Sequence, residues 1–302
     1  ISGFSFTLLV GYLFVWLGLL VSVMFFTMLE RKVMGYIQFR KGPNKIGFLG
    51  ILTPISDTMK LFFKSSGKVV FSNYYFFWLS PLISVFILFF VWCLFPFSSS
   101  LNYVSYGFLI FMAINGLNVY CVLWSGWSSN SKYSLLGSIR GSAQIISYEV
   151  LFVFLSLLPI SFQFSVSLFD FVYDGFIYLF LFPVFSLIWF VSLVAETNRS
   201  PFDFSEGESE LVSGFNTEYG SLEFACLFLG EYGQVIFVSC FWVLMYISFY
   251  FDFLIIFLGV FFSLSFIFFR SSFPRFRYDL LMNFSWFYCL LYVFFGLSFV
   301  FL

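Results

Sequence analysis

The first thirty residues, ISGFSFTLLVGYLFVWLGLLVSVMFFTMLE, carry no charged side chain before Glu30. About 20 apolar residues cross the hydrocarbon core of a bilayer, so this run spans a membrane with length to spare for tilt. Working outward, residues 69–131 are also free of charge, and the turn-rich patch Pro96-Phe97-Ser98-Ser99-Ser100-Leu101-Asn102 divides them into two spans. The remaining apolar intervals bring the expected number to eight transmembrane helices, at about 4–28, 74–95, 104–125, 140–159, 176–195, 222–247, 252–270 and 282–302. The expected fold is therefore all-α, a polytopic membrane protein with a long, tilted first helix and a single membrane domain over 1–302. Composition agrees: 10% of the 302 residues are charged, where a soluble domain carries roughly 25%.

Two shortages limit the chemistry. The chain has no His, which removes the commonest metal ligand and the usual general base near neutral pH. Its five cysteines, Cys93, Cys121, Cys226, Cys240 and Cys289, lack the spacing that iron–sulfur or structural zinc sites need. No flavin, haem, iron–sulfur cluster or metal is expected on this chain, so electron carriers for any redox role would sit on other chains. A net charge of −1 offers no footprint for nucleic acid. The 54 Phe residues read as drift in composition, with Phe replacing Leu on lipid-facing surfaces. The opening stretch lacks a basic n-region and a small-residue cleavage site and is not expected to be a secretory signal.

The few charges are unevenly placed. With eight crossings, the loops 29–73, 126–139, 196–221 and 270–281 fall on one side and hold or border all 14 Lys and Arg. The opposite connections hold no base, only Asp170 and Asp174, with Asp252 at a span edge. By the positive-inside rule both termini face outside.

Within the first basic loop, Gln38-Phe39-Arg40-Lys41-Gly42-Pro43-Asn44-Lys45-Ile46-Gly47 reads as a shaped turn rather than a loose tether. Residues 54–64 follow with Pro at the helix start, Ile55, Met59, Phe62 and Phe63 on one face, and Asp57, Lys60 and Lys64 on another. That pattern predicts a short amphipathic interfacial helix that frames an entrance for a lipophilic ligand. Residues 195–232 contain eight of the 15 acids: Glu196, Asp203, Glu206, Glu208, Glu210, Glu218, Glu223 and Glu231. In a helix, Asp203, Glu206 and Glu210 would share a face. Glu149 and Glu231 fall inside spans and Glu196 closes one. Ionised carboxylates at such depths are expensive and face protein or a water-filled cavity. A proton-conducting chain is one reading; carboxylates paired with Arg140 or Arg199 are the other. The last basic loop spaces Arg270, Arg275 and Arg277 with aromatics, suiting planar contacts to a partner subunit, an anionic lipid or the acidic loop.

These motifs identify a resemblance over nearly the whole chain. Glu30-Arg31-Lys32 with Gln38 to Asn44, Asp57 with Lys60-Leu61-Phe62, Gly137-Ser138-Ile139-Arg140 with Ala143 to Glu149, the 195–219 segment, Glu231-Tyr232 and Pro274 to Asp279 resemble the subunit 1 family of proton-pumping NADH:ubiquinone oxidoreductase, respiratory complex I, in its mitochondrially encoded form. The resemblance implies a subunit at the junction of the membrane and hydrophilic arms, with the first span, amphipathic helix and sixth span bounding a quinone entrance. It implies tunnel-lining roles for Arg31, Arg40, Asp57, Arg140, Arg199, Phe215, Arg275 and Arg277. It implies proton-coupling roles for Glu149, Glu196, Asp203, Glu206, Glu208, Glu210, Glu218 and Glu231. A ubiquinone-type quinone would bind together with quinone-module and membrane-arm partner subunits, no complete active site would stand on this chain alone, and phospholipids such as cardiolipin would be neighbours. The implied location is the mitochondrial inner membrane, with both termini in the intermembrane space.

The family usually has Gln at Thr53, an acid at Ser65 and Gln at Leu280, so its roles at those positions are not carried over. The competing class is a stand-alone ion or solute transporter using intramembrane carboxylates; the lack of a clear internal repeat counts against it. A structural anchor whose acids form salt bridges is a third reading, and a related membrane-bound hydrogenase subunit shares only part of the pattern.

Overall fold

A computed structural model describes residues 2–67, 72–97, 103–174, 177–205, 207, 214–248 and 252–301. The first helix, α1 (Ser2–Ile37), does not stop near residue 28 as expected. It runs through Glu30-Arg31-Lys32 because no helix breaker intervenes, reaching about 54 Å against a hydrocarbon core of about 30 Å. After it the chain turns at Phe39, whose φ is 56°, and Lys32 reaches back to donate to the Leu49 carbonyl at 2.6 Å.

The expected interfacial helix is present as α2 (Thr53–Phe63), with Pro54 in its first turn. Ile55, Met59, Phe62 and Phe63 are all exposed, as an apolar face laid against lipid would be. The Arg31–Asp57 pair at 2.9 Å ties α2 to the overhang of α1.

Next come α3 (Tyr74–Cys93), then α4 (Gly107–Gly116) and α5 (Asn118–Ser128). These last two form one crossing interrupted at Leu117. Further along are α6 (Lys132–Gln163), the short α7 (Leu168–Asp174), α8 (Pro183–Glu196), α9 (Ser221–Tyr246) and α10 (Asp252–Ser272). The last crossing is α11 (Tyr278–Asn283), a π-helical turn over Phe284–Cys289, and α12 (Leu290–Phe301).

Seven helical stretches among the described residues are long and apolar enough to cross a membrane. The expected fifth span is different. Its helix, α8, has 14 residues, only about 21 Å, and starts late, at Pro183. The missing length lies at its start, where residues 178–181 form a turn; beyond Glu196, irregular backbone over 197–205 runs along α6. Gln144 Nε2 donates to both Ala195 O and Phe202 O at 2.7 Å. Non-helical backbone at this depth is tolerated because it lies against protein rather than lipid. Residues 200–205 form turns and bends, so Asp203 is not on the helical face it would have shared with Glu206 and Glu210. Those two residues and Glu208 lie outside the described residues.

The docking of this segment depends on glycine. A Cβ at Gly137 would come within 2.9 Å of Ser205 O and 3.1 Å of Phe215 N, and one at Gly141 within 2.8 Å of the Ser205 side chain.

Contacts sort the bundle into two ends. Asn73 N donates to Ser128 O at 2.9 Å, and Phe276 N to Pro201 O at 3.1 Å, at the end carrying the basic loops. Phe108 N to Val166 O at 3.2 Å, and Leu179 N to Tyr246 O at 3.1 Å, join connections at the opposite end. The segment 177–205 therefore runs antiparallel to α9, as a crossing should, although only part of it is helix.

Between the two ends the helices close on aromatic rings. Phe111 packs on Phe241 at 4.5 Å and Phe152 on Trp189 at 5.2 Å between ring centres, and all four are almost completely buried. Hydroxyls inside the helices are satisfied by the preceding turn, as in Ser84 to Pro81 O and Ser192 to Trp189 O, both 2.7 Å. Polar groups joined by side chain across helices are therefore few and informative.

Candidate functional site

Two such groupings lie beside each other. The first closes around Glu30, whose side chain is 6% exposed. Glu30 Oε1 receives Arg270 Nη1, with Arg199 Nη1 at 3.6 Å, and Tyr232 donates its hydroxyl to Glu30 Oε2 at 2.7 Å. The Arg199 guanidinium lies over the Tyr232 ring, 4.0 Å from its centre. One carboxylate thus joins α1, the 197–205 segment, α9 and α10. Two cations around a single buried anion leave a local positive excess, which the electrostatic influence of Glu231 on Arg199 helps to balance.

The second grouping surrounds the break at Leu117. Asn115, buried at the end of α4, donates its amide to Glu196 Oε1. At the next residue a Cβ on Gly116 would lie 2.9 Å from Glu149 Oε1, so the Glu149 carboxylate rests on the bare backbone. Glu149 and Glu196 are near enough to interact electrostatically. Across the break, Asn118 donates to Gln234 Oε1 of α9 at 3.0 Å. A cavity of ≈ 30 Å³ opens here, with Asn118, Glu196, Asn198, Phe215, Glu231 and Gln234 in its wall. A cavity needs about 10–15 Å³ of such space to hold a water, so one or two fit.

The expected site residues divide accordingly. Glu149, Glu196 and Glu231 come together around the break, Phe215 is buried in the wall of the same cavity, and Arg199 joins the Glu30 network. Arg31 and Asp57 pair with each other at an exposed position, as do Arg277 and Asp279 at 3.0 Å. Arg40 and Glu218 are exposed and Arg140 is half-buried. Arg275 lies with its guanidinium 5.2 Å from the Phe204 ring centre. Glu206, Glu208 and Glu210, expected in the acidic path, are outside the described residues. At the three departures from the family pattern, Thr53 donates to Gly50 O at 2.7 Å, Ser65 is exposed, and Leu280 borders an apolar chamber of ≈ 490 Å³ with Phe190, Phe202 and Phe276.

Sequence reasoning missed three residues. Glu30 ends an uncharged run and was read only as part of a basic motif. Asn115 is an amide in the middle of a charge-free interval. Glu223 is buried and accepts from Ser221 at 3.2 Å, while its neighbour in the acidic series, Glu218, is not. A polar side chain deep in an apolar run was the available signal for Asn115.

The acidic segment is anchored beyond the cavity as well. Tyr219 stacks on Phe77 with ring centres 4.1 Å apart, and its hydroxyl meets Ser80 at 3.0 Å and Ser128 at 3.2 Å. Burial pushes this phenol above its ordinary pKa, so it stays protonated and able to donate. Among the described residues, no three His, Cys, Asp or Glu converge as a metal ion would require.

Comparison with known proteins places the chain in a family. The profile of the family described as NADH dehydrogenase matches residues 10–301. The "NADH-ubiquinone oxidoreductase chain 1" of Aedes aegypti is 46% identical over 286 residues, covering 92% of this chain and 90% of that protein. The protein of the same name from Artemia franciscana is 46% identical over 271 residues, covering 88% and 89%. That from Heterololigo bleekeri is 45% identical over 285 residues, covering 88% of each.

Proposed function

Because the chain belongs to the NADH dehydrogenase family, we propose that it is the membrane subunit of respiratory complex I that forms part of the ubiquinone access tunnel and couples quinone reduction to proton translocation. The observation that carries this reading is the placement of Glu196 between two polar groupings: beside Glu149 at the helix break, and three residues before Arg199 in the Glu30 network. A change of charge at the 197–218 segment would act on Arg199 and Glu231 first and on Glu196 and Glu149 next. At about 4 Å and an effective dielectric near 20, unit charges interact by about 4 kcal/mol, enough to move a proton one step.

The quinone, the flavin and cluster chain and the tunnel's remaining wall would be supplied with partner subunits of the membrane arm and quinone module, and cardiolipin or other phospholipids would cover the apolar exterior. The exposed apolar face of α2 and the overhang of α1 suit the tunnel entrance. The inner mitochondrial membrane is the place where this assembly works, with the basic loops toward the matrix and both termini toward the intermembrane space.

The reading is tested by Glu196→Gln in the assembled complex, with quinone reduction and proton pumping measured together. We expect coupled turnover to fall at least tenfold while NADH oxidation by a water-soluble acceptor is kept. Unchanged pumping per electron at normal turnover would overturn it.

A further inference from the structure

We propose that Asn115 is a positioning residue for Glu196, holding one carboxylate oxygen so that the other serves a cavity for one or two waters that passes protons between Glu196 and Glu231. The inference rests on the coupling role proposed above and adds a residue and a route to it.

Glu196 Oε1 is occupied by the Asn115 amide. Glu196 Oε2 is equally buried yet has no hydrogen-bond partner among the described residues, and a buried carboxylate oxygen left unsatisfied costs about 1–3 kcal/mol or more. Glu196 lines the ≈ 30 Å³ cavity that Glu231 also lines, so water there supplies the missing partner. The Asn118–Gln234 amide pair forms another part of the wall, and the unsatisfied Asn198 Oδ1 offers a further acceptor. The interruption at Leu117 separates Asn115 from Asn118, letting one face Glu196 and the other the cavity wall.

Without Asn115 the Glu196 carboxylate turns freely about its last torsion and either oxygen can be withdrawn from the water. With it, one oxygen is fixed toward donor nitrogen and the other toward the cavity. A water that gives a proton to Glu196 Oε2 takes one from the Glu231 carboxyl; one proton moves, one carboxylate replaces another, and the water is regenerated. The titratable groups near Glu196 are Glu149 from α6 and, across the cavity, Glu231 from α9 and the Cys121 thiol; Arg199, three residues on along its own segment, is turned to Glu30 and Tyr232, and α4 and α5 bring no charged residue.

The test compares Asn115→Leu and Asn115→Asp with Glu196→Gln in the assembled complex. Asn115→Leu removes the donor at similar volume and is expected to lower quinone-dependent turnover five- to tenfold, with NADH oxidation by a water-soluble acceptor unchanged. Asn115→Asp keeps shape but sets a second carboxyl against Glu196, and the pH profile of coupled turnover is expected to move toward alkaline pH by about one unit. Asn115→Ser, a smaller donor, should restore part of the rate. If Asn115→Leu lowers assembly, the Asn115→Asp profile decides. An unmoved profile there, or wild-type turnover in Asn115→Leu, overturns the proposal. Should Glu196→Gln itself leave coupling intact, the coupling role falls instead; sensitivity to Glu196→Gln alongside indifference at Asn115 removes only the positioning role.

Discussion

Glu30 gathers Arg199, Arg270 and Tyr232 with one carboxylate, and removing its charge leaves two arginines facing each other with no anion between them. Breaking a buried ion pair by neutralising one partner costs about 3–5 kcal/mol. Glu30→Gln is therefore expected to lower the thermal stability of the assembled complex, measured as the temperature at which quinone-dependent activity is lost. Arg270→Gln, at the more exposed partner, should lower it less. Tyr219→Phe removes a hydroxyl that meets both Ser80 and Ser128 and is expected to cost about 1 kcal/mol, read in the same assay. At this scale the sequence revealed Arg199 and Glu196 as unusual because each is a charge beside an apolar run. It did not reveal Glu30 or Asn115 as their partners, since a hydrogen bond across 81 residues leaves no local periodicity.

The elements were legible where hydrophobic length decides them and obscure where tertiary contact does. The interfacial helix, the apolar runs and the basic loops could be drawn from residue spacing alone. The short α8 could not, because its apolar residues read as a full span while the turn closed by Leu181 N and Phe182 N on Tyr178 O replaces the first part of the helix, and the docking of 197–205 on Gln144 and the glycines of α6 leaves no mark in residue spacing. Gly137 is the sharpest case. Gly137→Ala places a methyl group against the Ser205 carbonyl and the Phe215 amide, rigid backbone that cannot turn aside. Overpacking of this kind costs about 1–3 kcal/mol, and here the cost falls on the segment carrying Glu196 and Arg199. We expect Gly137→Ala to lower quinone-dependent activity severalfold at normal heat stability of the remaining bundle, measured by activity and by limited proteolysis within 200–215. Unchanged cleavage and activity would show that the segment has slack at that contact.

At the scale of the whole molecule, seven helical stretches among the described residues are long and apolar enough to cross a membrane, and the segment 177–205 also runs from one end of the bundle to the other, because Leu179 meets Tyr246 at one end while Pro201 meets Phe276 at the other. With the basic loops toward the matrix, as proposed above, Phe164→Cys is expected to react with a membrane-impermeant maleimide from the intermembrane-space side and Lys64→Cys from the matrix side, both positions being exposed. Reaction of both from one side would dismantle this topology. The aromatic packing between the polar groupings and the far end gives the acids an apolar boundary. The short α8 also bears on how the chain reaches the membrane. A 14-residue helix that ends on Glu196 and is followed by Arg199 is a poor candidate for independent insertion during synthesis. It should enter the bilayer only as a pair with α6, whose Gln144 supplies the hydrogen bonds its far end lacks, which makes the order of helix assembly a requirement written into the placement of the acids themselves.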